Sequence, residues 1–474
     1  MEFIETRVSI SGVEMLDKPQ EACGVFAIAA ETTDLNVGTI VHAGLSELQH
    51  RGEDGAGIVL NYEGRMVGQD APGLVSNLDL TPQGETIIDG SHPLANISIG
   101  HVRYSTVEQG AEQPIVNDSF SLAHNGHIAN IDAVAEEFGL TNKFTSDSDC
   151  IAKVIDLFLA EGHSLDDAIA LTLPKLEGGY SLVLTDGEAL YGIRDPNGFR
   201  PLVLGRMNSD NAWLFSSEDS ALRAPDVDAR LQREIRPGEI VRVQNGEVTT
   251  TLINKEVDEK LCAFEYIYFA RNDTNINNRN VQITRNAMGE QLAREAPVDA
   301  DIVIGVKDAG TDAAYGYSHE TGIPRPEALG KNRYSSRSFI QKDQAAREKM
   351  VRTKHRPNEA IIRDKRVVLV DDSIVRGTTM RTLVQMIREA GATEVHLRIP
   401  SPIYNWSCHY GMATGDPSTL LARQFPSIEE MREYLGADSL AFLSVEGLEK
   451  SIAIGAGKLC LACMDGNYPT PIPG

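Results

Sequence analysis

No apolar run in this 474-residue chain approaches the ~18 residues a membrane-spanning helix needs. Basic residues are scarce: 44 Lys and Arg stand against 68 Asp and Glu, a net charge of −24. Broad binding to nucleic acid or to an anionic membrane needs the opposite sign, so neither partner is expected. An anionic small molecule is still admitted, but only in a locally favourable pocket. Aromatic residues make up 6% of the chain, too few for platforms that stack bases. The first 22 residues carry Glu2, Glu5, Glu14 and Asp17 and lack a basic start followed by an apolar block, so they do not read as a secretory signal. The expected compartment is the cytoplasm, where six cysteines are not a disulfide framework. Internal repeats and low-complexity tracts are also missing.

What is present is enough chain for two or three domains, and 42% hydrophobic residues to fill their cores. The first half reads as short strands with a few helices. Asp186-Gly187 and Asn245-Gly246 are hairpin turns between apolar runs, and residues 151–159 form an amphipathic helix. After residue 255, where the domain boundary is placed, the rhythm changes. Strands are expected at 302–306, 367–370 and 395–399, with a helix over 379–390 that stops at Gly391. Strand, helix, strand at this spacing is a βαβ unit of a mostly parallel sheet.

The longest motif is Val367-Val368-Leu369-Val370-Asp371-Asp372-Ser373-Ile374-Val375-Arg376-Gly377-Thr378-Thr379. An apolar strand ends in two carboxylates, then a small hydroxyl-rich loop opens a helix. Loop N–H groups and a helix N-terminus bind phosphate with few cationic side chains. The paired aspartates repel phosphate but suit sugar hydroxyls or a divalent metal. The segment resembles the signature of type I phosphoribosyltransferases. That resemblance implies that Asp371 and Asp372 meet the ribose hydroxyls of phosphoribosyl pyrophosphate, with Mg²⁺ on its diphosphate. It also implies that Ser373, Arg376, Gly377, Thr378 and Thr379 cradle the 5′-phosphate, with Lys331 and Arg333 as further contacts.

The first half carries Cys23-Gly24-Val25-Phe26, Arg51-Gly52-Glu53-Asp54, His101-Val102-Arg103-Tyr104, His124-Asn125-Gly126 and Thr145-Ser146-Asp147-Ser148. A cysteine exposed as the first residue by trimming carries its own base, because an α-amine titrates near pH 7.7–8.0. In order and spacing these stretches resemble the class II, N-terminal-nucleophile glutamine amidotransferases. The resemblance implies a propeptide at 1–22, Cys23 as nucleophile, and Asn125 and Gly126 as oxyanion donors. It further implies that Arg51, Arg103 and Asp147 hold glutamine.

Joined, the two halves resemble the amidophosphoribosyltransferase family, in its iron–sulfur branch. The fold implied is an αββα sandwich over 23–255, then a phosphoribosyltransferase parallel sheet with a C-terminal tail over 256–474. The activity implied is transfer of glutamine amide nitrogen to phosphoribosyl pyrophosphate, opening purine synthesis. Purine nucleotides are the inhibitors implied, and a homodimer or homotetramer the assembly. Cys262, Cys408, Cys460 and Cys463 stand where that branch holds a [4Fe–4S] cluster; four reduced thiols or a zinc site are the alternatives. Cys150 reads as packing. Several positions depart from the family pattern: Glu53, Gly55, Ala309, Asn272 and Thr274. They leave open a paralogue with altered or weakened activity. A regulator that only senses phosphoribosyl pyrophosphate would have no need of Cys23, Arg103 and Asn125.

Overall fold

The computed structural model describes residues 23–62, 65–78, 95–104, 113–253, 258–332, 344–412, 414 and 416–472. The 22-residue leader, the boundary at residue 255 and Arg333 lie outside the described residues.

The first half is built from thirteen described strands and four described α-helices. In chain order these are β1 (Gly24–Ala30), α1 (Val37–Glu47), β2 (Gly55–Tyr62), β3 (Arg65–Pro72), β4 (Ile97–Arg103), β5 (Ile115–Val116), β6 (Ser121–Ile128), α2 (Ile131–Glu137), α3 (Asp147–Ala160) and α4 (Leu165–Thr172). There follow β7 (Gly178–Thr185), β8 (Leu190–Arg194), β9 (Val203–Met207), β10 (Ala212–Ser216), β11 (Ala229–Glu234), β12 (Glu239–Gln244) and β13 (Glu247–Leu252). They form two antiparallel sheets, ordered β11-β9-β10-β1-β4-β2-β3 and β13-β12-β8-β7-β6-β5.

Strand periodicity sorts the side chains into layers. Val25, Ala27 and Ala29 of β1 meet Ala123, Val183 and Val241 between the sheets. Phe26 and Ile28, on the other face, pack under α1 with Val41 and Leu45. Leu122, Leu182 and Leu184 turn outward beneath Ile151, Val154 and Ile155 of α3. The result is helix, sheet, sheet, helix, as expected. Both hairpins are present. Asn245 and Gly246 each have positive φ, the turn that matches strand twist.

In the second half, strands Ile302–Gly305, Arg366–Val370, Glu394–Ile399 and Ser439–Phe442 pair in parallel, in that spatial order. Val368 and Val370 face helices Val281–Glu295 and Gly310–Thr321, through Met288, Leu292, Ala313 and Tyr317. Val367 and Leu369 face helix Thr378–Glu389, through Leu383, Val384 and Ile387. Both faces are covered, which explains why the strand reads as an unbroken apolar run.

The halves are stitched where the chain crosses between them. Lys260 N–H bonds to the Asn197 carbonyl and Cys262 N–H to the Phe199 carbonyl. The short strand Leu261–Cys262 pairs in parallel with Leu459–Cys460, which brings the tail back to the crossover. Among the described residues, no helix is long and apolar enough to cross a membrane.

Candidate active site

Cys23 stands at the head of β1, the strand held between β10 and β4. Its sulfur receives the Tyr104 N–H at 3.5 Å. Strand register sets Gly24 opposite Val102, so Arg103 and Tyr104 end β4 beside the cysteine. Val102 faces the α1 layer while Ile97 and Ile99 face the second sheet. Period-two alternation therefore sends His101 and Arg103 toward the second sheet. His101 reaches it: its Nε2 lies 3.1 Å from the His124 carbonyl. The next residue is Asn125. Cys23 and Arg103 thus stand at one end of the first sheet, and His101 ties that end to the strand carrying Asn125.

Asn125 is 1% exposed, and its Nδ2 has no hydrogen-bond partner among the described residues. A buried amide donor left unpaired costs about 1–3 kcal/mol, which a developing oxyanion would offset. Gly126 has φ +144°, and a Cβ there would sit 1.9 Å from the Gly179 carbonyl oxygen. Only glycine fits this close strand approach.

Asp147 opens α3, capped by Ser146, whose hydroxyl accepts the Asp149 N–H. It accepts N–H bonds from Ser148 at 2.8 Å and Ile128 at 3.2 Å. Burial alone would raise its pKa; His124, His127 and the Ile128 N–H hold the carboxyl well below the usual range. It stays ionised, as a partner for an ammonium group must. Burial pushes the His124 ring's pKa down, and the Asp147 carboxylate opposes that shift.

Arg51, expected to hold glutamine, spends its guanidinium on contacts within the protein. Its guanidinium is sealed in the core at 1% exposure and saturated. Nε donates to the Cys23 carbonyl at 3.2 Å, Nη1 to Glu218 at 2.5 Å, and Nη2 to Glu265 at 2.9 Å. Arg51 thus touches Cys23 through the main chain. Glu218 in turn accepts from His50 at 2.8 Å and from the Arg271 N–H at 3.1 Å. Glu265 belongs to the second half, so this buried ion cluster crosses between domains.

In the second half the aspartate pair ends its strand as expected. Asp371 and Asp372 are 2% and 1% exposed. The Asp371 carboxylate accepts the Asp372 N–H at 3.0 Å, and Asp372 accepts the Ser373 hydroxyl at 2.7 Å. Gly377 takes φ +84° immediately before helix Thr378–Glu389, so the loop N–H groups and the helix N-terminus converge. Arg376 also has contacts within the protein. Its side chain leaves the loop, with Nε donating to the Thr419 hydroxyl at 3.0 Å and Nη2 to the Thr414 carbonyl at 2.6 Å. It braces the loop from behind. Lys331 Nζ hydrogen-bonds to Asp308, on the loop that opens helix Gly310–Thr321. Ala309 caps that helix without a side-chain hydrogen bond.

The four cysteines named for a cluster lie around the crossover and the returning tail. Cys262 and Cys460 are register partners, and Cys463 follows in the short helix Ala462–Asp465. Cys408 Sγ accepts the Tyr410 N–H at 3.4 Å. Burial first, then the fields of Cys408, Cys262 and Cys460, push the Cys463 thiol well up. Each of the four thiols is therefore within electrostatic reach of others in the set. Among the described residues, no three His, Cys, Asp or Glu side chains are drawn together closely enough to hold a metal ion. None of the six cysteines is in a disulfide, and Cys150 is buried packing in α3.

Sequence reasoning missed Glu218, Gln113 and Ser148. Gln113 accepts the His124 N–H at 2.6 Å and donates to Ser148 at 3.2 Å. No local signal marks these residues, because their partners are distant in the chain.

Residues 101–224 match the glutamine amidotransferase domain model and residues 274–400 the phosphoribosyl transferase domain model. The chain is 40% identical to the amidophosphoribosyltransferase of Synechococcus elongatus, over 98% of this chain and 94% of that one. It is 41% identical to the amidophosphoribosyltransferase of Methanocaldococcus jannaschii, over 95% and 98%. The solved glutamine phosphoribosylpyrophosphate amidotransferase of Bacillus subtilis, complexed with ADP and GMP, superimposes with a TM-score of 0.85 at 39% identity, over 95% of this chain and 98% of that one.

Proposed function

This chain belongs to the amidophosphoribosyltransferase family, and from that premise we propose how its own residues divide the work. The reaction moves the amide nitrogen of glutamine to 5-phosphoribosyl 1-pyrophosphate, the first committed step of purine biosynthesis. Its products are 5-phosphoribosylamine, glutamate and pyrophosphate.

Removal of the 22-residue leader frees the Cys23 amine, which takes the thiol proton as the sulfur attacks the glutamine amide. Arg103 pairs with the α-carboxylate in a forked contact, and Asp147 with the α-ammonium. The Asn125 amide and the Gly126 N–H receive the oxyanion, and ammonia departs while glutamyl stays on sulfur. Water then releases glutamate. Ammonia crosses to the second half unprotonated and displaces pyrophosphate at C1 of the sugar. Asp371 and Asp372 hold the ribose hydroxyls, and the loop from Ser373 to Thr379 holds the 5′-phosphate through its N–H groups. Lys331 and Arg333 are assigned to the diphosphate side.

Hard oxygen donors at the strand end fit Mg²⁺, which when bound neutralises diphosphate charge. The all-cysteine set of Cys262, Cys408, Cys460 and Cys463 fits a [4Fe–4S] cluster, and the N–H donated to Cys408 suits a thiolate ligand. Its place between crossover and tail gives it a structural role. Purine nucleotides are assigned as inhibitors because the Bacillus relative was solved with ADP and GMP. A cytoplasmic homodimer or homotetramer completes the assignment.

The observation that carries the reading is the unpartnered, buried Asn125 amide, held by the strand that His101 ties to the Cys23 side of the sandwich. The test is Cys23→Ser in the processed enzyme. It should lose glutamine-dependent synthesis and keep synthesis from ammonia. Loss of both would make Cys23 a structural residue and sink the assignment.

A further inference from the structure

His101 is fully buried, and its ring is the one side-chain link described between β4 and the main chain of the oxyanion segment. The acceptor at 3.1 Å is the His124 carbonyl, so Nε2 must carry the proton. Nδ1 has no hydrogen-bond partner among the described residues. Burial first, with His124 and Arg103 adding, lowers the pKa to about 3. The ring is therefore a neutral, fixed donor throughout the working range of pH.

The carbonyl it holds belongs to the peptide unit joining His124 to Asn125. That segment is gripped on every side. Gln113 holds the His124 N–H at 2.6 Å, Ser148 lies 3.0 Å from the His124 ring, and Asp147 holds the Ile128 N–H at 3.2 Å. The other side-chain grips come from Gln113 and from the start of α3, and the β7 ladder pairs Asn125 with Ser181. His101 grips from the strand that ends beside Cys23, two residues before Arg103. Moving the His124–Asn125 peptide plane would swing the Asn125 side chain relative to the sulfur.

We infer that His101 is a positioning residue for the glutaminase reaction: its Nε2–H fixes the His124–Asn125 peptide so that the Asn125 amide meets the oxyanion formed at Cys23. This deepens the reading of Cys23 and Asn125 given above and rests on it. A 1 Å error in donor placement weakens oxyanion stabilisation while leaving ground-state binding of glutamine, through Arg103 and Asp147, in place.

The test uses the processed full-length enzyme and two variants of similar size. His101→Gln keeps an amide N–H at the reach of Nε2; His101→Met has no donor. His101→Met should lower kcat for glutamine hydrolysis on the order of tenfold, with KM moved by less than about twofold. Ammonia-dependent synthesis should be retained, and His101→Gln should recover most of the loss. Glutamate γ-semialdehyde, whose thiol adduct places an oxygen in the oxyanion site, should lose affinity in parallel with kcat while glutamate does not. Wild-type kcat in His101→Met, a loss confined to KM, or a His101→Gln variant no better than His101→Met would each overturn the inference. Should His101→Met fail to fold, His101→Asn replaces it. Its shorter amide falls short of the carbonyl, so rates equal to those of His101→Gln would overturn the inference. Glutamine use that survives Cys23→Ser would instead overturn the reading on which it rests.

Discussion

Replacing Arg51 by Met tests the buried ion cluster that joins the nucleophile to the second domain. The guanidinium makes contacts to Glu218, Glu265 and the Cys23 carbonyl, and the side chains of Arg51, Glu218 and Glu265 are fully buried. Met fills much of the volume but leaves two carboxylates without their main cation. Glu218 keeps His50, the Arg271 N–H and the Thr274 hydroxyl; Glu265 keeps Arg200 at 3.5 Å. Breaking one side of a buried pair costs about 3–5 kcal/mol. For a domain of this size that lowers Tm by roughly 10 °C. The pH dependence has a definite sign. Burial would raise the Glu218 carboxyl, but His50 and Arg51 hold it well below the ordinary value. A depressed carboxyl contributes stability above its unfolded pKa of about 4.3, and the contribution is lost as pH falls. Without Arg51 the carboxyl takes up a proton at higher pH, so the gap in Tm between wild type and Arg51→Met should narrow from about pH 8 to about pH 5. Calorimetry at several pH values measures this directly. Adding Glu265→Gln should cost less than the sum of the single changes, with a coupling of roughly 1–3 kcal/mol. A Tm within about 2 °C of wild type, or strict additivity, would refute the reasoning.

Gly126→Ala forces a Cβ to 1.9 Å from the Gly179 carbonyl oxygen, so glutamine hydrolysis should fall by about 100-fold or more while ammonia use persists; near-normal kcat would show that the strand gives way. Asp372→Asn keeps the fold but halves the charge of the strand-end pair. KM for phosphoribosyl pyrophosphate should rise about tenfold or more in ammonia-dependent assays, and an unchanged KM would remove Asp372 from the sugar site. Protein purified anaerobically should be brown and carry about four irons per chain, losing them in Cys408→Ser; a colourless, iron-free and fully stable chain would remove the cluster.

Much of the fold was legible in the sequence because its signals are local. Asn245-Gly246 folds as the hairpin its two residues specify. The strand over Arg366–Val370 and the helix after it follow from apolar patterning. Helix α3 starts at Asp147 rather than 151, because Ser146 caps a polar first turn that shows no apolar stripe. Local geometry in the candidate site was legible where a motif fixes the backbone, as at Gly126, Asp371 and Gly377. Side-chain contacts were not legible where the partners are distant in the chain. Arg51 sits in a motif beside the substrate, yet its carboxylates lie 167 and 214 residues away along the chain. Arg376 sits in the phosphate loop, yet Thr414 and Thr419 turn its guanidinium outward. His101 stood inside a motif, but its role emerged only from the register of β4 against the second sheet.

The account stands or falls on one chain carrying a cysteine site that releases ammonia and a sugar-phosphate site that consumes it. Pyrophosphate release measured at steady state decides this most directly. With glutamine and phosphoribosyl pyrophosphate together, pyrophosphate and glutamate should appear in equal amounts, and either substrate alone should give little of either. Rapid glutamate formation with no matching pyrophosphate, or pyrophosphate formation indifferent to glutamine and ammonia, would contradict it.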